Sequence, residues 1–191
     1  ALWIQICSDE DTPAGEFPVT VTVTVKAPEP IVLSATVMVE VIPAVLPPQK
    51  LIRTEWFHGD CLADYYHVEV FSEAHWEILR KQILCAVKYG INMLLTPIVT
   101  PALDTAVGGE RTTIQLVDIR VDNGAYSFGF EKLERWVRMC QECGIKYFEI
   151  AHLYTQWGAL HCPKIMATVD GEYRRIFGWD TDATGDEYRE F

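Results

Sequence analysis

The residues best suited to chemistry lie in one run, Lys146–Lys164, KYFEIAHLYTQWGALHCPK. Tyr147–Phe148–Glu149–Ile150 reads as a buried strand, and Glu149, His152, Tyr154, Gln156, Trp157 and His161 all fall within thirteen residues. A polar and aromatic cluster just after an apolar strand is the usual anatomy of a ligand site at a strand's carboxyl end. Glu149 stands out, because a carboxylate inside an apolar strand is costly unless it is paired or used. It either serves a site or hydrogen-bonds a neighbouring strand. His152 has the same two readings, a hydroxyl-binding or proton-shuttling group or a satisfied structural histidine. Trp157 is either a platform for a ring or a lid over the core.

Other strand ends add candidates: His58 and Asp60 after the first strand, and Asn92, Thr96 and Thr100 around the second. Glycosidic hydrolysis by the common route needs two carboxyl groups flanking the bond. The pairs on offer, Asp60 or Asp104 with Glu149, sit in no motif. Cys140–Gln141–Glu142–Cys143 is a CxxC at the end of a helix pattern, whereas redox pairs use the N-terminal end, where the dipole lowers the thiol pKa. His58, Cys61, His67, His161 and Cys162 lack the paired spacing of a zinc site, so no metal is expected.

The elements that must position these residues fall into two parts. Residues 1–47 read as a portion of an antiparallel β-sandwich. Val19–Val25 alternates Val with Thr, Ile31–Ile42 is a second strand pattern, and Leu2–Ile6 would make a third. Pro47–Pro48 punctuates the chain and makes 43–50 the domain boundary. From residue 48 onward the pattern changes to strand Leu51–Phe57, a loop at His58–Cys61, and a helix capped by Ser72 and stopped at Gly90. An apolar strand Ile91–Leu95 follows. Thr112–Ile119 and Ala125–Phe130 flank the hairpin signal Asp122–Asn123–Gly124. A second helix ends at Gly144, and strand Ile145–Leu153 comes next. Lys164–Val169 and Tyr173–Trp179 flank Asp170–Gly171, and Asp182–Phe191 reads as a helix start. Strand, helix, strand, helix, strand calls for an α/β fold with a parallel sheet, either open or a (β/α)8 barrel. A barrel takes about 250 residues. Only about 140 follow the linker, so the expectation is the first part of a TIM-type barrel, incomplete, with an open sheet edge. A second copy or the remainder of the barrel would cover that edge.

Composition narrows the partners. The 191 residues are 49% hydrophobic and 23% charged, the balance of an ordinary globular protein. A net charge of −11 with no basic stripe argues against nucleic acid or an anionic membrane. No apolar run is long enough for a transmembrane helix. There is no GxGxxG after the first strand and no GxxxxGK[ST], so no nucleotide cofactor is expected. Six scattered cysteines read as reduced thiols and a cytoplasmic setting. The first residue is Ala, with no charged leader before an apolar core, which reads as a fragment or processed chain.

Longer strings carry a family resemblance. GINMLLTPIVTPALDT (Gly90–Thr105), GGERTTIQLVDI (Gly108–Ile119), YFEIAHLYTQWGALHCPKI (Tyr147–Ile165) and IFGWDT (Ile176–Thr181) resemble the catalytic domain of glycoside hydrolase family 123. FSEAHWEILRKQI (Phe71–Ile83) and the LPPQ entry (Leu46–Gln49) fit as well, so the resemblance covers roughly residues 45–191. It implies a (β/α)8 barrel, a preceding β-sandwich, a carbohydrate substrate and β-N-acetylgalactosaminidase-type hydrolysis. It further implies a substrate-assisted, retaining route in which the sugar's 2-acetamido group attacks the anomeric carbon, served by an adjacent Asp–Glu pair after the fourth strand. That pair is expected beyond Phe191, which would leave this chain inactive alone. Asp186–Glu187 falls in a helix start and is not assigned the role. Asn92, Glu149, His152, Trp157, His58, Asp60 and Thr96 are then candidates for the wall of the sugar site. The rival reading is a non-catalytic glycan- or protein-binding module of β-sandwich plus α/β type.

Overall fold

The computed structural model describes residues 2–156 and 158–191. The chain divides into two compact units, Ala1–Gln49 and Lys50–Phe191.

In the first unit, β1 (Gly15–Val25) pairs antiparallel with β2 (Ile31–Val41) over their whole length. The Val/Thr alternation dictates the two faces of this ribbon. Val19, Val21 and Val23 pair with Val37, Ala35 and Leu33 on one face, and Thr20 and Thr22 meet Thr36 and Ser34 on the other. Those hydroxyls hydrogen-bond across the strands at 2.9 and 3.2 Å. The expected third strand is absent: Leu2–Ile6 is not a strand, and the described residues of this unit form a two-stranded ribbon. Leu2, Trp3, Ile4 and Ile6 are apolar on both sides, so no face and no register is specified for them.

The second unit is built on a parallel sheet of β3 (Thr54–Glu55), β4 (Met93–Thr96) and β7 (Tyr147–Ile150), in that spatial order. Helices α1 (Gly59–Tyr66) and α2 (Glu73–Lys88) join the first two strands, and α3 (Glu131–Cys143) leads into the third. The continuous run Met93–Leu94–Leu95 suits a strand covered on both faces. Leu94 packs with Trp76, Leu79 and Ile83 of α2 and with Trp136 and Cys140 of α3. Leu95 turns the other way, into a cluster with Val99, Leu103, Ile119, Ala151, Ile165 and Phe177. Burial pushes the Cys140 thiol up to about 12, which leaves it inert.

The connections after β4 and β7 each carry a hairpin. In β5 (Asp118–Asp122) and β6 (Ala125–Gly129) the turn residues Asn123 and Gly124 both have positive φ, and so do Asp170 and Gly171 between β8 (Ile165–Val169) and β9 (Glu172–Phe177). That is the primed turn demanded by strand twist. β5 and β8 then pair in parallel, giving one four-stranded sheet in the order β6-β5-β8-β9. The short helix α4 (Asp186–Glu190) closes the chain.

Several boundaries differ from the sequence expectation. The strand expected at Leu51–Phe57 shrinks to two residues, because the segment before it is held by the Asn92 amide instead of a longer ladder. His58–Cys61, expected as a loop, opens α1, whose Gly59, Asp60 and Ala63 are buried. Thr112–Val117 precedes its strand as an irregular segment, with Leu116 N–H donating to Pro97 C=O at 2.9 Å. The last helix starts at Asp186, since the Asp182 carboxylate is turned onto the N–H and hydroxyl of Thr184.

His75 locks α1 to α2. Its Nδ1 accepts the Phe71 N–H at 2.9 Å, so Nε2 carries the proton and donates to the Gly59 carbonyl at 2.9 Å. Phe71, in a left-handed conformation (φ 62), is held there by this bond and by its ring stacked on Trp76. The imidazole is fully buried, and desolvation lowers its pKa even though the Gly59 carbonyl and Asp60 pull the other way. An unfolded histidine takes up a proton near pH 6.5 and this one only at lower pH, so stability falls as the pH drops below about 6.5. Urea unfolding between pH 7 and 5 should show this loss. His75→Gln should be less stable at pH 7 and show a shallower slope.

Candidate functional site

The carboxyl ends of the parallel strands gather Thr54, Trp56, Glu149 and His152. Strand register puts Thr54, Met93, Leu95, Tyr147 and Glu149 on the face opposite the two helices. Glu149 accepts the Thr54 hydroxyl at 2.9 Å and the Trp56 indole N–H at 3.4 Å. Strands β3 and β7 are two positions apart, roughly 10 Å in a flat sheet, with β4 between them. Thr54 is in register with Met93 and Tyr147, so its bond to Glu149 crosses β4 diagonally. The His152 ring meets Trp56 edge-on at 5.7 Å between centroids. Trp56 remains 47% exposed, and His152 is exposed. This arrangement offers a carboxylate with lone pairs to spare, an aromatic face and an imidazole, all open at one mouth.

His58 is the N-cap of α1 and Asp60 lies in its first turn. Asp60 is 3% exposed and takes the Arg111 guanidinium on both oxygens, from Nε at 2.8 Å and Nη2 at 3.2 Å. Arg111 also donates to the Leu103 carbonyl at 2.7 Å. Burial works against its charge, but Asp60, with Cys61 and Asp104, raises its pKa above the ordinary value. The loop from Leu103 to Arg111 is further tied down by Lys164 Nζ donating to the Arg111 carbonyl and by the Trp179 indole donating to Gly109 at 2.8 Å. Arg175 bridges Glu110 and Asp180 at 2.9 and 2.7 Å. His58 faces Asp104 at 2.9 Å through Nε2, while its buried Nδ1 has no partner among the described residues.

The remaining expectations separate. Asn92 sits at the amino end of β4, where its Oδ1 accepts the Arg53 N–H at 2.8 Å and its Nδ2 donates to Leu51 at 2.9 Å. Both polar ends are spent on backbone, away from the mouth. Thr96 ends β4 fully buried, its hydroxyl turned back to the Leu94 carbonyl at 3.4 Å. Trp157 lies outside the described residues. Asp186 and Glu187 occupy the first turn of α4. Thr54, Trp56 and Arg111 were missed. The aromatic and hydroxyl of Thr54–Glu55–Trp56, directly at a strand end, were the available signal for the first two.

Among the described residues no cluster of three or more His, Cys, Asp or Glu side chains could hold a metal, and no helix is long and apolar enough to cross a membrane. Residues 56–191 match the family model of the glycoside hydrolase 123 catalytic domain. The chain belongs to glycoside hydrolase family 123. A family 123 glycoside hydrolase from Clostridium perfringens, solved to give the details of glycolipid glycan hydrolysis, is similar in fold, with a TM-score of 0.63 over 92% of this chain at 17% identity. This chain covers 31% of that one, so it spans about a third of its neighbour's length. No curated protein matches.

Removing one partner of a buried ion pair strands the other charge, at about 3–5 kcal/mol. Asp60→Ala should therefore destabilise the Lys50–Phe191 unit by that order in urea unfolding. Double replacement of Asp60 and Arg111 by Leu and Met should recover most of the loss.

Proposed function

We propose that this chain forms the substrate-binding wall of a glycoside hydrolase acting on N-acetylgalactosamine-containing glycans, built as the first three β/α units of a (β/α)8 barrel. The barrel reading is supported by consecutive parallel strands in sequential order with α2 and α3 packed on one face. A doubly wound sheet would place helices on both.

The observation that carries the functional reading is the Glu149 carboxylate, clasped by Thr54 and Trp56 at the strand ends of a family 123 chain. Each of its oxygens accepts one protein hydrogen bond and keeps a lone pair for a sugar hydroxyl. Trp56 supplies apolar ring surface, and His152 reaches a second hydroxyl. His58 and Asp60 act through the loop they hold, and Thr96 through the shape of the strand end. The hydrolysis itself is substrate-assisted and retaining: the 2-acetamido oxygen attacks the anomeric carbon while an acid protonates the leaving oxygen. The Asp–Glu pair for this step lies on a strand beyond Phe191, as the family resemblance implies.

The 191-residue chain should give no turnover of p-nitrophenyl N-acetyl-β-galactosaminide, whereas a chain extended through the complete barrel should. In the extended enzyme Glu149→Gln should lower kcat/KM about 10- to 100-fold, the effect of weakening a hydrogen bond to a charged group. Turnover by the shorter chain, or an unchanged kcat/KM in Glu149→Gln, would contradict the assignment.

A further inference from the structure

The four-stranded sheet has two unlike faces. One carries Ile119, Ile165, Ala167 and Phe177 into the core. The other forms the floor of a groove of about 780 Å³, walled by Glu69–Phe71 and by the start of α3. That volume lies within the roughly 300–1,000 Å³ range of small-molecule sites. None of Thr54, Trp56, Glu149 or His152 lines it.

Its floor is rigid. Gln115 is buried and donates from Nε2 to the carbonyls of Val117 and Met166 at 2.9 and 2.8 Å. Its Oε1 accepts the Met166 N–H at 3.0 Å. The Thr112–Val117 segment is thereby zipped onto β8. Lys132 is fixed as well, on Asp118 at 2.6 Å and over the Phe71 ring at 5.6 Å.

The groups left over define the ligand. Cross-strand pairing sets Arg120 beside Ser127 and Thr168, and Thr168 beside Tyr173. Among the described residues the Arg120 guanidinium, the Ser127 and Thr168 hydroxyls and the Glu69 and Glu131 carboxylates have no hydrogen-bond or ion-pair partner. The Tyr173 ring is 62% exposed on the groove wall. Free donors and free acceptors therefore alternate along a short, fixed surface with one apolar plate. An anion would meet Glu69 and Glu131, and a cation would meet Arg120. A sugar hydroxyl both donates and accepts, and a pyranose has an apolar face for the tyrosine ring.

We propose that the outer face of the β6-β5-β8-β9 sheet is a second binding site for a neutral oligosaccharide, separate from the mouth at Glu149. The saccharide class rests on the glycan-hydrolase reading above, whereas the site rests on the groove. Such a site would hold a neighbouring part of the glycan, or another chain of it, while the mouth engages the unit to be cleaved.

The test is a titration of the isotope-labelled 191-residue chain with the neutral disaccharide galactosyl-β-1,3-N-acetylgalactosamine, followed by backbone amide shifts. Saturable shifts are expected in residues 118–129 and 166–174. Arg120→Ala and Tyr173→Ala should each weaken that binding about fivefold or more, the loss of one charged hydrogen bond or one ring contact. Tyr173→Phe should keep it, and both positions are exposed enough for the variants to fold. Glu149→Gln should leave the groove shifts unchanged and alter only shifts at residues 54–56 and 147–154. Shifts confined to the mouth, groove shifts indifferent to both alanine variants, or tighter binding of glucuronic acid than of the disaccharide would each overturn the proposal. Groove shifts without mouth shifts would uphold it and count against the Glu149 site instead.

Discussion

A carboxylate set in the middle of an apolar parallel strand must find its hydrogen bonds nearby, and Glu149 finds them two strands away. Its bonds to Thr54 and Trp56 reach across β4, the strand between them. The interaction therefore ties the two outer strands of this sheet to each other. The helices pack on the other face of the sheet, where Leu94 meets Trp76, Leu79 and Trp136. A partly buried carboxylate is costly when left unpaired, so the clasp also keeps the mouth in one shape before any ligand arrives.

The long connections after β4 and β7 solve a second problem. A loop carrying this much backbone would leave many N–H and C=O groups without partners. Folding each connection into a hairpin satisfies most of them, and pairing β5 with β8 satisfies the inner edges of both. The resulting sheet roofs the cluster around Leu95 with one face and presents the Arg120 groove with the other. The Asp60–Arg111 pair then anchors the intervening loop to α1. A buried pair of this kind contributes little net stability. Its effect is to specify one loop conformation.

Much of this was legible in the sequence wherever the signal is local. Ser72 caps α2 by accepting the His75 N–H, Gly144 ends α3 in a left-handed conformation, and Asn123–Gly124 and Asp170–Gly171 make the turns their composition demands. The uninterrupted apolar character of Met93–Leu95 announced burial on both faces. What could not be read is pairing at a distance. Glu149 and Thr54 are separated by 95 positions, and nothing in either neighbourhood names the other. The union of the two hairpins is equally non-local. Helix α1 was hidden because Gly59 and Asp60 look like turn residues until burial against α2 is known. Asn92 was misjudged because its residue type suits either end of a strand, and only the register shows that it precedes β4. In the first unit the Val/Thr alternation gave a correct pair of strands, but an apolar stretch without alternation, Leu2–Ile6, specified no third.

The central claim is that Glu149 and Thr54 act as one clasp across β4. A double-mutant cycle on urea unfolding, with Glu149→Ala, Thr54→Val and the two combined, reads that coupling directly. The account predicts a coupling of about 1–2 kcal/mol, with the second substitution costing little once the first is made. Additivity to within about 0.3 kcal/mol would contradict it.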